Sequence, residues 1–175
     1  MSSRYYFLSS LPMLRYSEPA PISWEYFLKA AEGNIDGSEY RLLCGIPKNK
    51  DCGNGFLKNW NALNAELNAS INSRRNRNLG KPSENFAVFS FFDTERLTNA
   101  AMDANNPLDA EMLLLKFRYD YLETAKGYEP FTKTALLVYA LQLRILIRKD
   151  SFTSKAGNHE FQKLFGILRK EITTD

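Results

Sequence analysis

Histidine occurs once in this 175-residue chain, at His159, cysteine occurs only at Cys44 and Cys52, and no stretch approaches the roughly 18 consecutive apolar residues that cross a bilayer. Each scarcity narrows the chemistry. Catalysis near neutral pH draws most often on a tunable base, and His159 sits in a polar helix start where a solvated surface role is the simpler reading. Seven residues separate the two cysteines, which suits neither a CxxC redox pair nor a zinc knuckle and fits a reducing compartment. Neither G-x-S-x-G nor H-E-x-x-H occurs. Gly53-Asn-Gly-Phe-Leu-Lys58 lacks the third glycine and preceding strand of a dinucleotide loop, and Gly80-Lys-Pro lacks the remainder of a P-loop. The expectation is a chain without catalytic activity of its own, without cofactor and without metal. No basic start leads into an apolar run with a small-residue cleavage site, so the expected location is cytoplasmic.

What is present is the composition of an ordinary globular domain. At 44% hydrophobic and 25% charged the chain matches neither disordered nor collagenous classes. Its length suits a single helical domain over 1–175, with two lobes hinged near 48–55 as the alternative division. A net charge of +3 is too small to argue for nucleic acid or anionic lipid. The charge is segregated, however: +5 over residues 48–81, −5 over 82–129 and +4 over 130–175. Either oppositely charged helices pack on each other, or one charged face docks a partner.

Periodicity points to an all-α bundle of about six or seven helices behind a short extended N-terminal segment, Arg4–Pro12. Ile22–Gly33 reads as a helix capped by Ser23 and stopped by Gly33, and a second short helix capped by Asp36 or Ser38 ends before Pro47. Phe56, Trp60, Leu63, Leu67 and Ile71 recur at helical spacing, and the helix they define runs to about Arg77. Asn61, Asn64, Asn68 and Asn72 form a stripe beside them. Asparagine is a middling helix former, so the stripe costs some tenths of a kcal/mol per residue or is offset by contacts to another chain. An apolar patch, Phe86–Phe92, precedes a helix start at Asp93. Asn106-Pro-Leu-Asp-Ala-Glu111 carries an N-cap, proline at the first position and acids at the positive dipole end, predicting a helix from Pro107 to about Lys126 with Leu108, Met112, Leu115, Tyr119 and Leu122 on one face. Thr132–Lys149 is apolar nearly all round and reads as the core's central helix, and a last amphipathic helix is expected over Ser154–Ile172.

Arg144 and Arg148 lie one turn apart on that central helix and require partners, because an unpaired buried guanidinium costs several kcal/mol. Glu111 and Asp120 on the preceding helix are the natural candidates within the chain, and another subunit's carboxylate is the alternative. Glu111, Arg118, Asp120, Arg144 and Arg148 are accordingly the candidate ion-pair or docking residues. Arg74, Arg75 and Arg77 are a candidate basic contact patch for phosphates, although helix C-termini attract arginines in any case. The sequon Asn68-Ala-Ser70 falls inside a predicted helix and is read as chance.

Three blocks together resemble a known family: Tyr5–Pro12 with Ile22–Leu28, Asn106–Glu111 with Phe117–Leu122, and Ala135–Arg148. They are similar in order to a bacterial family encoded beside V-type (A/V-type) ATP synthase subunits, and Arg74-Arg-Asn-Arg-Asn-Leu-Gly80 resembles that family's arginine-rich helix. The resemblance implies a replacement for the all-helical connector that joins the central stalk to the membrane rotor ring. Implied partners are other subunits of that complex, with the chain peripheral to the inner membrane through it; the residues themselves point to no direct nucleotide and no transmembrane segment, and make nucleic acid the less expected partner. The connector is built from three related helical units, whereas 175 residues suffice for one or two. The competing expectation is a stand-alone regulatory or nucleic-acid-binding helical protein that uses Arg74–Arg77.

Overall fold

The computed structural model describes residues 3–81 and 94–152. They form seven α-helices: α1 Ser3–Ser10, α2 Trp24–Ala31, α3 Gly37–Gly45, α4 Gly55–Asn78, α5 Thr94–Met102, α6 Pro107–Lys126 and α7 Lys133–Ser151. A 3-10 turn, Ile46–Lys48, follows α3, and there is no strand among the described residues. The architecture is an all-α bundle, as the periodicity requires. The apolar patch at 86–92, the start at Asp93, the last amphipathic helix and His159 lie outside the described residues.

Capping chemistry sets most helix starts. Ser23, Asn54, Asn106 and Thr132 each place a side-chain oxygen on the backbone N–H three residues on, Tyr26, Leu57, Asp109 and Ala135, at 2.8–3.1 Å. Each occupies one of the donors a helix start leaves free. Asp36 stands at the N-cap of α3 but its side chain makes no capping bond. Gly127 ends α6 at φ +69°, a conformation that costs an L-residue but not glycine.

The N-terminal segment corrects its expectation: it is helical over Ser3–Ser10, not extended. The reason is tertiary. Phe7 is buried with its ring 5.9 Å from that of Phe27, Arg4 pairs with the buried Glu39 of α3, and the Arg4 Nε donates to the Phe131 carbonyl at 3.1 Å. Eight residues alone would be too short to hold a helix in water.

α7 is the spine. Leu136, Val138, Leu143 and Leu146 are fully enclosed, and they face different directions round the helix. They share one core cluster with Leu115, Tyr119 and Leu122 of α6, Phe27 of α2, Leu42 and Leu43 of α3, and Leu57 and Leu63 of α4. A smaller cluster of Leu67, Ala101 and Leu114 joins α4, α5 and α6. Leu108, which spacing places on the buried face of α6, is 45% exposed because it sits in the first turn beyond the packed part of the helix.

α6 and α7 form an antiparallel hairpin. Gln142 Nε2 donates to Glu123 Oε1 at 2.6 Å on the side of the connecting loop, and Arg148 Nε donates to Glu111 Oε1 at 2.7 Å toward the other end. The loop between α1 and α2 is strapped along this hairpin. Tyr139 donates to the Pro12 carbonyl and Tyr16 to the Met112 carbonyl, both at 2.9 Å, while Lys149 donates to the Tyr16 and Glu18 carbonyls. The turn from 49 to 54 is likewise bonded down, with Asn61 Nδ2 donating to the Asn49 carbonyl at 2.8 Å.

Candidate functional site: an arginine-lined groove

A groove of 1140 Å³ opens between α4, α6 and the C-terminal half of α7, with Trp24 and Glu25 at the start of α2 and the 46–50 turn at its margin. The apolar residues at its base, Leu114 and Leu115 of α6, Leu141 and Ile145 of α7, and Leu57 and Trp60 of α4, belong to the buried core and leave little of their own surface open to it. Its walls are polar, and periodicity explains why. Asn61, Asn64, Asn68, Asn72 and Arg75 recur every three or four residues along α4, so they share one face for about 21 Å of helix.

Four guanidiniums reach this space. Arg118 is half-buried, and its Nε donates to Asn64 Oδ1 at 2.8 Å, while Asn64 Nδ2 donates back to the Trp60 carbonyl. Burial lowers the Arg118 pKa, the Glu111 carboxylate opposes that shift, and the Arg148 charge adds to it. Arg144 lies over the Trp24 ring with 5.2 Å to the centroid, and burial lowers its pKa as well. Arg148 pairs with Glu111 and also lies 5.5 Å over the Phe152 ring. Arg75 is exposed on α4 and lines the same groove. Lys50 joins them at the margin, and among the described residues the carboxylates that line the same groove are Glu25 and Glu111.

The sequence-derived candidates divide accordingly. Glu111, Arg118, Arg144 and Arg148 are brought together in the groove, with the Arg148–Glu111 pair formed inside the chain. Asp120 corrects its expectation: it pairs with Lys116 one turn back on its own helix at 2.5 Å, at an exposed position, and reaches neither Arg144 nor Arg148. Arg144 receives an indole face instead of a carboxylate. The basic run on α4 separates as well, since successive helix positions point about 100° apart. Arg75 lines the groove, Arg77 is exposed outside it, and Arg74 is half-buried with its Nε enclosed and unpaired among the described residues. The three do not share one patch.

The charge segregation finds one answer inside the molecule, because Arg148–Glu111 joins the last basic stretch to the acidic one. Where α4 faces the groove it meets α6 differently. There the Asn64 amide binds Arg118, a second cation, so the basic wall gains charge from the helix opposite rather than losing it. The role of Trp24 was not legible in sequence, because a ring from α2 meets a cation on α7 only through the fold. The asparagine stripe was the visible signal of the groove's long wall.

Chemically, the arrangement offers cations and amides above a base of side chains that the core has already buried. Among the described residues no three or more of His, Cys, Asp and Glu gather as a metal set, and no helix is long and apolar enough to cross a membrane. Comparison of the chain with protein-family models, with curated proteins and with solved structures found no match.

Proposed function

We propose that this chain is a non-catalytic subunit or assembly factor of a V-type (A/V-type) rotary ATPase, a helical connector between central stalk and membrane rotor ring. It is cytoplasmic and peripheral to the inner membrane through that complex, and hydrolysis and ion movement belong to other subunits. The observation that carries the docking role is the groove itself. An open channel walled by Arg75, Arg118, Arg144, Arg148 and the asparagines of α4 is what a chain presents when it binds a partner through a charged and polar face. The order of the resembling blocks supports the choice of complex. The antiparallel α6–α7 hairpin, which holds two of those blocks, suits one helical unit of a connector.

Purification of the tagged chain from its native host tests the reading. Stalk subunits or rotor ring should co-purify with it. Recovery of neither, together with complete ATPase assembly in a strain lacking the chain, would overturn it. The competing nucleic-acid role has Arg74, Arg75 and Arg77 as its contacts. It requires binding that weakens steeply with salt and vanishes on triple alanine substitution.

A further inference from the structure

We propose that Cys44 and Cys52 form a reversible intramolecular disulfide, a redox modification site that pins the turn between them. The inference is independent of the docking role above, because it rests on the two thiols and the turn that carries them.

The fold brings together two cysteines that the sequence does not space as a CxxC pair. Cys44 lies in the last turn of α3, and the chain then doubles back: Asn49 N donates to the Ile46 carbonyl at 3.0 Å and Lys50 N to the Gly45 carbonyl at 3.1 Å. Asn61 of α4 holds the same turn through the Asn49 carbonyl. Cys52 follows at φ +45°, a left-handed conformation uncommon for any residue but glycine. Its sulfur comes to rest against Gly45, the neighbour of Cys44, where an added Cβ would stand 3.4 Å from Cys52 Sγ. Glycine keeps this approach open, since a side chain there would also crowd the Lys50 carbonyl at 3.2 Å. Consecutive Cα atoms are about 3.8 Å apart and a disulfide spans about 4.4–6.8 Å between its Cα atoms, so moving the sulfur from Gly45 to Cys44 is a one-residue adjustment.

Both thiols are free and exposed, so an oxidant reaches them without unfolding the chain. The Cys44 thiol shares a hydrogen bond with the Tyr40 phenol one turn back on α3, which it gives up for the S–S bond. With hydrogen peroxide as oxidant, one thiolate attacks a peroxide oxygen, the O–O bond breaks, and a sulfenic acid and hydroxide form. The other thiolate then attacks that sulfur, the S–S bond forms and a second hydroxide leaves. Counting the two thiol protons, two thiols and one peroxide give one disulfide and two waters. Two glutathione thiols reverse the change by exchange and are themselves oxidised to glutathione disulfide. Such a bond belongs to the transient, redox-sensing class found in reducing compartments. Ile46, Pro47, Asn49 and Lys50, which border the groove, all lie inside the loop that it closes, so oxidation fixes the Lys50 charge at the groove's margin.

The test equilibrates the full chain with mixtures of reduced and oxidised glutathione, traps remaining thiols with iodoacetamide and reads the intact mass. The oxidised product should be lighter by two hydrogens and should run as a monomer on a non-reducing gel. Measured against glutathione, its disulfide should be at least about tenfold more stable in the folded chain than in the same chain in urea, where only the short loop links the cysteines. Hydrogen peroxide should yield the same species. Cys44→Ser and Cys52→Ser, both at exposed positions that leave the core untouched, should each abolish it and leave a mixed disulfide with glutathione instead. Amide exchange across residues 49–54 should slow by about tenfold in the oxidised chain, while that of α6 stays unchanged. Equal or lower disulfide stability in the folded chain would overturn the inference, as would intermolecular dimers or mixed glutathione disulfides as the main product of the unsubstituted chain. Unaltered exchange across the turn would also sink it, since the bond would then pin nothing.

Discussion

The Arg144 guanidinium lies over the Trp24 indole, 5.2 Å from the ring centroid, and this contact links the central helix to the first turn of α2. A cation placed this way interacts with the ring quadrupole by about 0.5–2 kcal/mol, more as water is excluded. In a double-mutant cycle with Trp24→Leu and Arg144→Met, the coupling energy should fall in that range, read from urea denaturation midpoints. A coupling indistinguishable from zero would show that the two side chains are merely adjacent.

Arg148 and Glu111 form the ion pair that closes the far end of the α6–α7 hairpin, and the Arg148 side chain is 59% exposed. Solvent screens such a pair, so Glu111→Gln should lower stability by less than about 1 kcal/mol, with the difference shrinking as salt rises. A loss above about 3 kcal/mol in thermal or urea unfolding would mean that the pair behaves as a buried one.

Leu143 is fully enclosed within the bundle, and Leu108 is 45% exposed on α6. Leu143→Ala should cost about 2–5 kcal/mol through lost burial and the cavity left behind, while Leu108→Ala should stay within about 0.5 kcal/mol. Equal effects from the two substitutions would contradict the placement of α7 at the centre.

Burial, reinforced by Glu123 and Asp120, pushes the Tyr119 phenol up to about 12, and burial raises Tyr139 in the same direction. In the unfolded chain both titrate near about 10. A pKa raised by folding means that the folded state favours the neutral phenol. The resulting contribution to stability is complete below about pH 10 and is lost as pH climbs through about 12. Urea midpoints should therefore fall above about pH 10, and the tyrosinate absorbance of these two residues should appear together with loss of helical circular dichroism. Titration of both at the ordinary phenol value with the helices intact would refute it.

Much of the fold is legible in local sequence because capping and periodicity are short-range effects. Asn106 and Pro107 set the start of α6, Thr132 sets that of α7, and the spacing from Phe56 to Ile71 marks α4. α1 was not legible, since its eight residues show no period and are held helical by Phe27, Glu39 and Phe131 from elsewhere in the chain. The site was half visible. The asparagine stripe and the two arginines on α7 stand out in the sequence, but Asp120 looked as suitable a partner as Glu111. Only the crossing of α6 and α7 sets one beside Arg148 and leaves the other with Lys116.

What the chain's order of residues determined by itself is the longer helices, α4, α6 and α7, and most of their buried faces, because those follow from hydrogen bonds and side-chain spacing within a few turns. What the tertiary structure decided is the groove. Its floor, its amides and its guanidiniums come from helices far apart in the chain, and the charges that α4 and α7 carry find their neighbours only once long-range burial has fixed how those helices cross.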